Sequence, residues 1–240
     1  MSDAPRPFEA PDLIEVMEEA VRYNRFLVGR LLAWCPSAGR VLDFGAGNGR
    51  FARALRARGH DVHAVEPDPA LRARLDADGI PTFGGVPPRD AAPFDAVYSI
   101  NVLEHIPDDH GLLRDLGDRL APGGRLLLYT PAFEVLFSAN DVRVGHVRRY
   151  RRSTLSAAVR GAGLCVESVE YVDSLGFLAA LLYRVAGDRD GGLSLRAVKV
   201  YDRIVFPLSR ALDRVLGRVV GKNLLLTATR PPADAAPTAR

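Results

Sequence analysis

The chain has 240 residues, of which 48% are hydrophobic and 25% are charged, a composition typical of one globular domain with a sizeable core. Its net charge is +3, but only two of its 32 basic residues are lysines, so the charge reflects arginine usage rather than basic clusters interleaved with aromatic residues. We therefore expect no nucleic-acid partner.

The cysteines and the N-terminal residues limit the cellular setting. Cys35 and Cys165 are too few and too far apart for a disulfide framework or a metal site, and each lies in an apolar stretch that predicts a buried side chain. Residues 1–12 are acidic and proline-rich and lack the apolar segment of a signal peptide. No uncharged apolar run reaches the roughly 18 residues of a membrane span. We expect a cytoplasmic protein without a metal centre.

Beyond the N-terminus, short β-type runs alternate with helical patterns. Residues 11–34 have apolar side chains at helical spacing, and "GRVLDFGAG" is a β-rich run that ends in glycines. A helix over 48–58, with Asn48 as its N-cap, precedes the strand "DVHAVEPD". The alternation continues through "PALRARLDADG", "IPTFGGV", "FDAVYSI", "HGLLRDLGDRLAPGG" and "RLLLYTP". Short connections between such elements predict parallel βαβ crossovers, so the expected fold class is α/β, a three-layer sandwich with a mostly parallel sheet.

The alternation loosens after the fifth strand. "RRSTLSAAVRGAGL" predicts a helix and "CVESVEYV" a strand, and a helical insertion over 175–222 follows, in which Pro207 breaks or starts a helix. "NLLLTATR" predicts a last strand, so the insertion covers one end of the same sheet. Residues 1–230 are therefore predicted to form a single domain, and residues 231–240 a disordered tail.

The segment "VLDFGAGNGR" places Gly45, Gly47 and Gly49 between a strand and a helix. Glycines there allow a ligand to touch the backbone, where helix N–H groups point outward. A dinucleotide fingerprint G-x-G-x-x-G would require glycine at position 50, which is Arg50. Asp43 ends the strand, and its carboxylate would repel a pyrophosphate but attract an ammonium or sulfonium cation.

Glu66 ends the second strand and can accept hydrogen bonds from both hydroxyls of a ribose. Together with Asp43 and the glycines, it predicts a nucleoside ligand with a cationic tail that carries no phosphate. The alternative is a tight turn that binds no ligand.

Four segments, "VLDFGAGNGRFA", "AVEPDP", "FDAVYSINVLEHI" and "LAPGGRLLLYTP", resemble the successive motifs of class I S-adenosylmethionine-dependent methyltransferases, in the same order. The resemblance covers roughly residues 20 to 165. It implies a Rossmann-like class I methyltransferase fold, with the helical insertion before the last strand, and S-adenosylmethionine as the cofactor.

The resemblance also implies which residues contact the cofactor. The glycine loop passes beneath the methionine portion, Glu66 takes the ribose hydroxyls, and Pro67 lies against the adenine. Asn101 and Val102 line the methionine side. Tyr23 and Asn24 match a Tyr-Asn pair of similar proteins that closes over the cofactor carboxylate. The full predicted set is Tyr23, Asp43, Gly45, Ala46, Gly47, Glu66, Pro67, Asn101 and Val102.

The segment "SANDVRVGHVRRYRRSTL" follows the fifth strand and so reaches the same edge of the sheet. It resembles a "D…GH.RRY…L" block of one methyltransferase subgroup. We predict that His146 is a general base oriented by Asp141, and that Arg149 and Tyr150 hold the acceptor. The alternative is that His146 and Tyr150 only brace the loop. His105 in "NVLEHI" is expected to pack or to form hydrogen bonds rather than to act in catalysis.

Residues 196–218 carry basic side chains on one helical face and apolar side chains on another. Such a helix either lies on an anionic bilayer or packs on the sheet with its apolar face inward, and we expect the packed arrangement. The apolar stretch "SLGFLAALLYRVAG" beside it suits a lipid-linked substrate. The predicted partners are thus a small-molecule or lipid-linked acceptor, with peripheral contact at the inner membrane face through 196–218 as the open alternative.

Methylation at oxygen is the predicted reaction, because a histidine base suits a hydroxyl acceptor. A non-catalytic cofactor-binding or membrane-docked partner protein is the alternative from another class. A nicotinamide-dependent oxidoreductase is a further alternative, which Arg50 disfavours.

Overall fold

The computed structural model describes residues 18–37, 39–91, 93–186 and 195–232, so parts of the predicted first helix and of the predicted tail lie outside it. The strands are β1 (Arg40–Phe44), β2 (Asp61–Val65), β3 (Thr82–Phe83), β4 (Phe94–Ile100), β5 (Leu120–Pro131), β6 (Cys165–Val172) and β7 (Asn223–Thr229). They form one seven-stranded sheet in the order β3-β2-β1-β4-β5-β7-β6. The paired strands from β3 to β5 are parallel, and β7 is antiparallel to both of its neighbours. The predicted mostly parallel sheet, with a helical insertion before the last strand, is confirmed.

The α-helices are α1 (Val21–Trp34), α2 (Arg50–Arg56), α3 (Pro69–Ala77), α4 (Asp109–Arg119), α5 (Ala139–Arg143), α6 (Arg152–Gly161), α7 (Ser174–Ala186), α8 (Leu195–Val200) and α9 (Phe206–Leu216). Across these ranges, none is long and apolar enough to cross a bilayer.

Alternating side chains of the strands fill two separate cores, one on each face of the sheet. In β1, Leu42 belongs to the core that α4 and α6 cover, whereas its neighbour Val41 belongs to the core that α1 and α2 cover. In β5, Leu126 and Leu127 are divided between the cores in the same way. Since successive strand residues point to opposite faces, this division establishes three layers.

Two local predictions are wrong. Gly49, with a φ of 79°, is the N-cap of α2 in place of Asn48, because the chain enters the helix through the left-handed region. The Asn48 side chain still contributes, since its Oδ1 accepts a hydrogen bond from the backbone N of Arg50 at 3.2 Å. Cys165 is exposed rather than buried, because it begins the edge strand β6.

Residues 195–216 form one continuous helix, which we call the C-terminal helix. Its middle, Tyr201–Val205, is a π-helical turn, and Pro207 follows in the first turn of α9. Proline has no N–H to donate to the carbonyl four residues earlier, and a widened turn accommodates the missing bond. The sequence predicts that Pro207 breaks or starts a helix; in the structure the helix continues through it, and only the hydrogen-bond pattern changes from π-helical to α-helical just before Pro207.

The C-terminal helix does not pack with its apolar face inward, so that prediction is wrong. Ile204, Leu208 and Val215 are 59%, 57% and 74% exposed. The buried face instead carries Asp202 and Phe206, which are 3% and 2% exposed.

Hydrogen bonds to other helices explain why a polar face is buried. The N-cap of α1 is Ala20, which has no side-chain hydrogen bond to offer, and Asp202 supplies the missing acceptor. Its carboxylate accepts hydrogen bonds from the backbone N–H groups of Arg22 and Tyr23 at 2.9 and 2.8 Å. Asp213 likewise accepts from two backbone N–H groups at the start of α7, at 3.0 and 2.9 Å. A carboxylate at a helix N-terminus is stabilised by the orphan amides and by the helix dipole.

We expect Asp202→Ala to lower the free energy of unfolding by about 2 kcal/mol, because two amides of α1 would lose a buried charged acceptor. Asp202→Asn, which keeps one acceptor oxygen, should lose less. Urea denaturation measures both. The control is Asp118→Ala, which removes an ion pair to the exposed Arg89 and should cost under about 1 kcal/mol. Equal losses for Asp202→Ala and Asp118→Ala would contradict the capping role.

Candidate functional site

The loops that follow β1, β2 and β4 meet at one edge of the sheet. These strands are parallel neighbours, so their carboxyl ends lie side by side. The backbone N–H groups of Gly45 and Ala46 both donate to the carbonyl of Val65, at 2.9 and 3.0 Å, which ties the glycine loop to the end of β2. The predicted residues Glu66, at β2, and Asn101, at β4, follow directly at this edge.

Glu66 lies directly beneath the glycine loop. Its side chain is buried, and Oε2 accepts a hydrogen bond from the backbone N–H of Gly47 at 2.7 Å. Oε1 accepts from the backbone N–H of Asp68 at 2.9 Å. Because each carboxylate oxygen has a further lone pair, Glu66 is held in one orientation and can still accept from two hydroxyls. Pro67 follows it and is exposed at the mouth of the loop.

The glycines of the loop serve different purposes. At Gly45, with a φ of 84°, an added Cβ would lie 2.3 Å from Cγ2 of Val102, so this glycine permits close packing inside the protein. At Gly47, with a φ of 54°, an added Cβ would meet nothing within 4 Å. Gly47 is therefore the position where the backbone faces open space and a ligand can approach it.

Asp43 is a buried carboxylate beside this loop. It is 2% exposed, and among the described residues its Oδ2 has no hydrogen-bond donor. Burial, with the nearby Glu66 carboxylate, raises the pKa of Asp43 to about 7. A buried carboxylate oxygen without a donor is costly, and a ligand cation would compensate for it. Asp43 and Gly47 thus fit the nucleoside with a cationic tail that the sequence predicts.

Tyr23 and Asn101 reach the same edge from opposite sides. The Tyr23 hydroxyl donates to the hydroxyl of Tyr129 in β5 at 3.1 Å. Asn101 has a φ of 55°, a left-handed conformation that asparagine tolerates better than most residues, and its backbone N–H donates to the carbonyl of Tyr129 at 2.8 Å. Both residues are therefore anchored to the end of β5. Their cofactor contacts stay predictions.

A second cluster is built around Asp141 in α5, the short helix that follows β5. Asp141 is 1% exposed, and its Oδ1 accepts from Nδ1 of His146 at 2.7 Å and from Nε of Arg149 at 2.8 Å. Its Oδ2 accepts from Arg149 Nη2 at 3.0 Å and from the backbone N–H of Ser138 at 2.9 Å. Burial alone would raise the pKa of Asp141, but the hydrogen bonds from His146 and Arg149 outweigh it and hold this pKa well below its usual range. The predicted pairing of Asp141 with His146 is present.

The hydrogen bond to Asp141 assigns the imidazole proton of His146 to Nδ1 and leaves Nε2 as an acceptor. Nε2 lies 3.8 Å from Oε1 of Glu104, and the ring lies edge-on to His105, with 4.7 Å between ring centroids. Glu104 is fully buried, and neither of its carboxylate oxygens has a hydrogen-bond partner within the described part of the chain. Burial raises the pKa of Glu104 to about 8, so its carboxyl group is mostly protonated at neutral pH.

Glu104, His105 and His146 each present one ligand atom, and these atoms lie within 4.8 Å of one another. Imidazole and carboxylate are donor types that zinc uses, so this group could hold a cation. The sequence predicts no metal site, and it misses this grouping because His146 lies on a different loop from the other two residues.

Arg149 and Tyr150 have internal partners in the structure. The Arg149 guanidinium is committed to Asp141, as described, and Tyr150 is 3% exposed, with its hydroxyl donating to Asp109 at 2.7 Å. Arg148 also pairs with Asp109 at 2.8 Å. This geometry fastens the loop to the start of α4, as in the bracing alternative. Acceptor binding by Arg149 and Tyr150 stays a prediction that this arrangement does not favour.

Comparison with known proteins identifies a protein family whose profile matches this chain. A family profile described as "Methyltransferase domain" matches residues 17–169. A relative named ubiquinone biosynthesis O-methyltransferase, from Xanthomonas axonopodis pv. citri, is 30% identical over 157 residues; the match covers 56% of this chain and 66% of the relative, slightly less than two thirds of its length.

Solved structures of methyltransferases share the fold. An S-adenosylmethionine-dependent methyltransferase from Mesorhizobium loti superposes with a TM-score of 0.58 at 21% identity, over 84% of this chain and 96% of that one. Phosphoethanolamine N-methyltransferase 2 from Haemonchus contortus, in complex with S-adenosyl-L-methionine, gives 0.56 at 20% identity, over 88% of this chain and 53% of that one. At such identities the likeness is one of fold.

We expect Glu66→Gln to weaken S-adenosylmethionine binding by about 1–3 kcal/mol, because a charged acceptor becomes a neutral amide. Titration calorimetry measures the change, and Glu167→Gln, at an exposed position of β6, is the matched control. Unchanged affinity in a folded Glu66→Gln protein would remove Glu66 from the site.

The raised pKa of Asp43 predicts a pH dependence of cofactor binding. A bound cation favours the ionised carboxylate, so below pH 7 binding must displace a proton from Asp43. Affinity for S-adenosylmethionine should therefore rise with pH up to about 7, by at most about tenfold per pH unit, and level off above it. Asp43→Asn should lose this dependence. Equal affinities of the parent at pH 5.5 and 7.5 would show that Asp43 does not face the cation.

Proposed function

Because this chain belongs to the class I S-adenosylmethionine-dependent methyltransferases, we propose that it methylates a hydroxyl oxygen of a small-molecule or lipid-linked acceptor. The observation that supports oxygen as the methylated atom is the hydrogen-bonded pair of Asp141 and His146 at the cofactor edge of the sheet. The name of the Xanthomonas relative, an O-methyltransferase, supports the same choice.

The chemistry determines what the protein must supply. Bound S-adenosylmethionine would supply the methyl group from its sulfonium. A hydroxyl is a poor nucleophile until it loses its proton, so a base near the acceptor raises the rate. The remaining tasks are alignment of the two reactants and exclusion of water.

His146 is proposed as this base. Its Nδ1–H is held by Asp141, which fixes the tautomer and stabilises the positive charge that the ring acquires. Arg149 holds Asp141 from the other side, and the shared carboxylate restricts the orientation of the imidazole. The free acceptor, Nε2, is then the atom that takes the hydroxyl proton. In this assignment Asp141 and Arg149 are positioning residues.

The lipid-linked class of acceptor is proposed from the surface of the insertion. Large apolar side chains of the C-terminal helix are exposed, and basic side chains within 196–218 lie beside them. Such a helix suits peripheral contact with the inner face of a membrane, where a lipid-linked acceptor would be met.

We expect His146→Ala to lower turnover by about 10²–10⁴-fold, because the hydroxyl proton loses its acceptor, while cofactor affinity hardly changes. Asp141→Asn should lower turnover less, since the imidazole remains. The assay follows S-adenosylhomocysteine formation across a panel of hydroxyl-bearing acceptors, and calorimetry follows cofactor binding.

His110→Ala, at an exposed histidine, is the matched control and should retain turnover. Melting temperatures separate a chemical effect from unfolding. Full turnover by a stably folded His146→Ala protein would overturn the base assignment, and absence of turnover on every acceptor despite cofactor binding would favour the non-catalytic alternative.

A further inference from the structure

A cleft runs between α1 and the C-terminal helix. It consists of two adjoining cavities of about 470 and 450 Å³. Both are lined by Arg22 and Arg25 of α1. Lys199 and Arg203 of the C-terminal helix line the first, and Arg210 lines the second. We call these five residues and their surroundings the cationic cleft.

Two of the five basic side chains are neutralised within the protein. Lys199 pairs with Glu19 at 3.1 Å, and Arg210 pairs with Asp213 at 2.9 Å while its guanidinium lies 3.9 Å from the ring centre of Phe26. Among the described residues, Asp202 is the other carboxylate that lines the cleft besides Glu19, and it accepts hydrogen bonds from backbone N–H groups of α1.

The charges of the other three cleft arginines are not neutralised by an ion pair with any described residue. Arg22, Arg25 and Arg203 are exposed, and none of them has an ion pair with a residue inside the described ranges. They converge on one cavity. A phosphate group is the anion that guanidinium groups bind best, because their donors match its oxygens in geometry as well as in charge.

An apolar ridge lies beside the cleft along the same helix. Its members are exposed large side chains at helical spacing, Val200 (55%), Ile204 (59%), Leu208 (57%), Leu212 (41%) and Val215 (74%). A row of this length is uncommon on a protein surface that faces only water. Since the buried face of the helix is already occupied by Asp202, Phe206 and Asp213, the ridge has no place in the core.

We propose that the cationic cleft and the apolar ridge together dock on an anionic lipid bilayer, with headgroup phosphates at Arg22, Arg25 and Arg203 and the ridge at the boundary of the acyl chains. This rests on the membrane contact in the proposed function and names the surface that makes it. Exposed apolar side chains next to cations are the composition of a helix that lies in the bilayer interface. The sequence pattern of residues 196–218 predicts membrane contact through those residues alone, whereas the proposed surface also includes the arginines of α1.

The docking surface is joined to the cofactor edge through α1. Phe206 of the C-terminal helix packs edge-on against the ring of Tyr23, with 5.3 Å between ring centroids, and Asp202 caps the turn that carries Tyr23. Tyr23 in turn reaches Tyr129 at the end of β5. A bilayer on this surface would therefore lie against the helix that borders the predicted cofactor site, as a lipid-linked acceptor requires.

Co-sedimentation with vesicles tests the proposal without cofactor or acceptor. The full chain should bind vesicles of equal parts phosphatidylglycerol and phosphatidylcholine, and bind pure phosphatidylcholine far less. The triple variant Arg22→Gln, Arg25→Gln, Arg203→Gln should bind the anionic vesicles at least about tenfold more weakly. Leu208→Ser with Val215→Ser should also weaken binding, and this loss should persist at high salt, because it does not depend on charge.

The matched control is Arg58→Gln, Arg74→Gln, Arg160→Gln, which removes three exposed arginines elsewhere and should bind as the parent does. Equal loss in both triple variants would mean that net charge alone drives binding and would overturn the site. Absence of binding to anionic vesicles would overturn it too.

Other occupants of the surface give different results. If residues 1–17 covered it, the full chain would not bind and a chain without them would. If a second copy covered it, sedimentation velocity would show a dimer that Val215→Asp dissociates. Either result contradicts the proposal. The triple variant should keep full turnover on a water-soluble acceptor, so failure of docking and failure of the methyl-transfer assignment remain distinguishable.

Discussion

The reversal of strand order between β1 and β4 is the constraint on which the site depends. After β1 the chain adds β2 and β3 on one side, then returns to the centre and adds β4 on the other side. The helix after β1 packs into one core and the helix after β4 into the other, so the two loops diverge and leave a crevice at the carboxyl ends. Gly47 and Asn101 lie in the loops that follow β1 and β4, so the topology places them on the two sides of this crevice.

The protein buries carboxylates in two contrasting ways. Asp141, Asp202 and Asp213 each receive several N–H donors, and through these hydrogen bonds they hold loops and helix ends in place. Asp43 and Glu104 lie at the site with oxygens that no described residue satisfies, and their pKa values are raised. The first group stabilises the fold. Burial of the second group is electrostatically unfavourable, and a bound ligand can offset that cost.

The sequence predicts the sheet and the glycine loop well, because apolar alternation and glycine placement are local signals. It also indicates Glu66 and the Asp141–His146 pair, whose residues are close together in the chain or at strand ends. It does not predict how Glu104 meets His146, since tertiary packing of two loops decides that distance. It also predicts the wrong buried face of the C-terminal helix. Periodicity identifies an apolar face, but the buried face carries Asp202 and Asp213, which accept hydrogen bonds from backbone N–H groups at the N-termini of helices distant in the chain.

The position of β7 has a consequence for synthesis of the chain. In the sheet β6 pairs only with β7, and β7 lies between it and β5, so residues 165–172 have no strand to join until residues 223–229 have left the ribosome. During that interval β5 presents an open edge, and the apolar ridge, which the completed fold also leaves exposed, adds apolar surface. Open edges and exposed apolar rows are the features that chaperones recognise and that lead to aggregation. Completion of this sheet is thus a late event in translation, and premature termination before residue 223 would leave a strand without its neighbour.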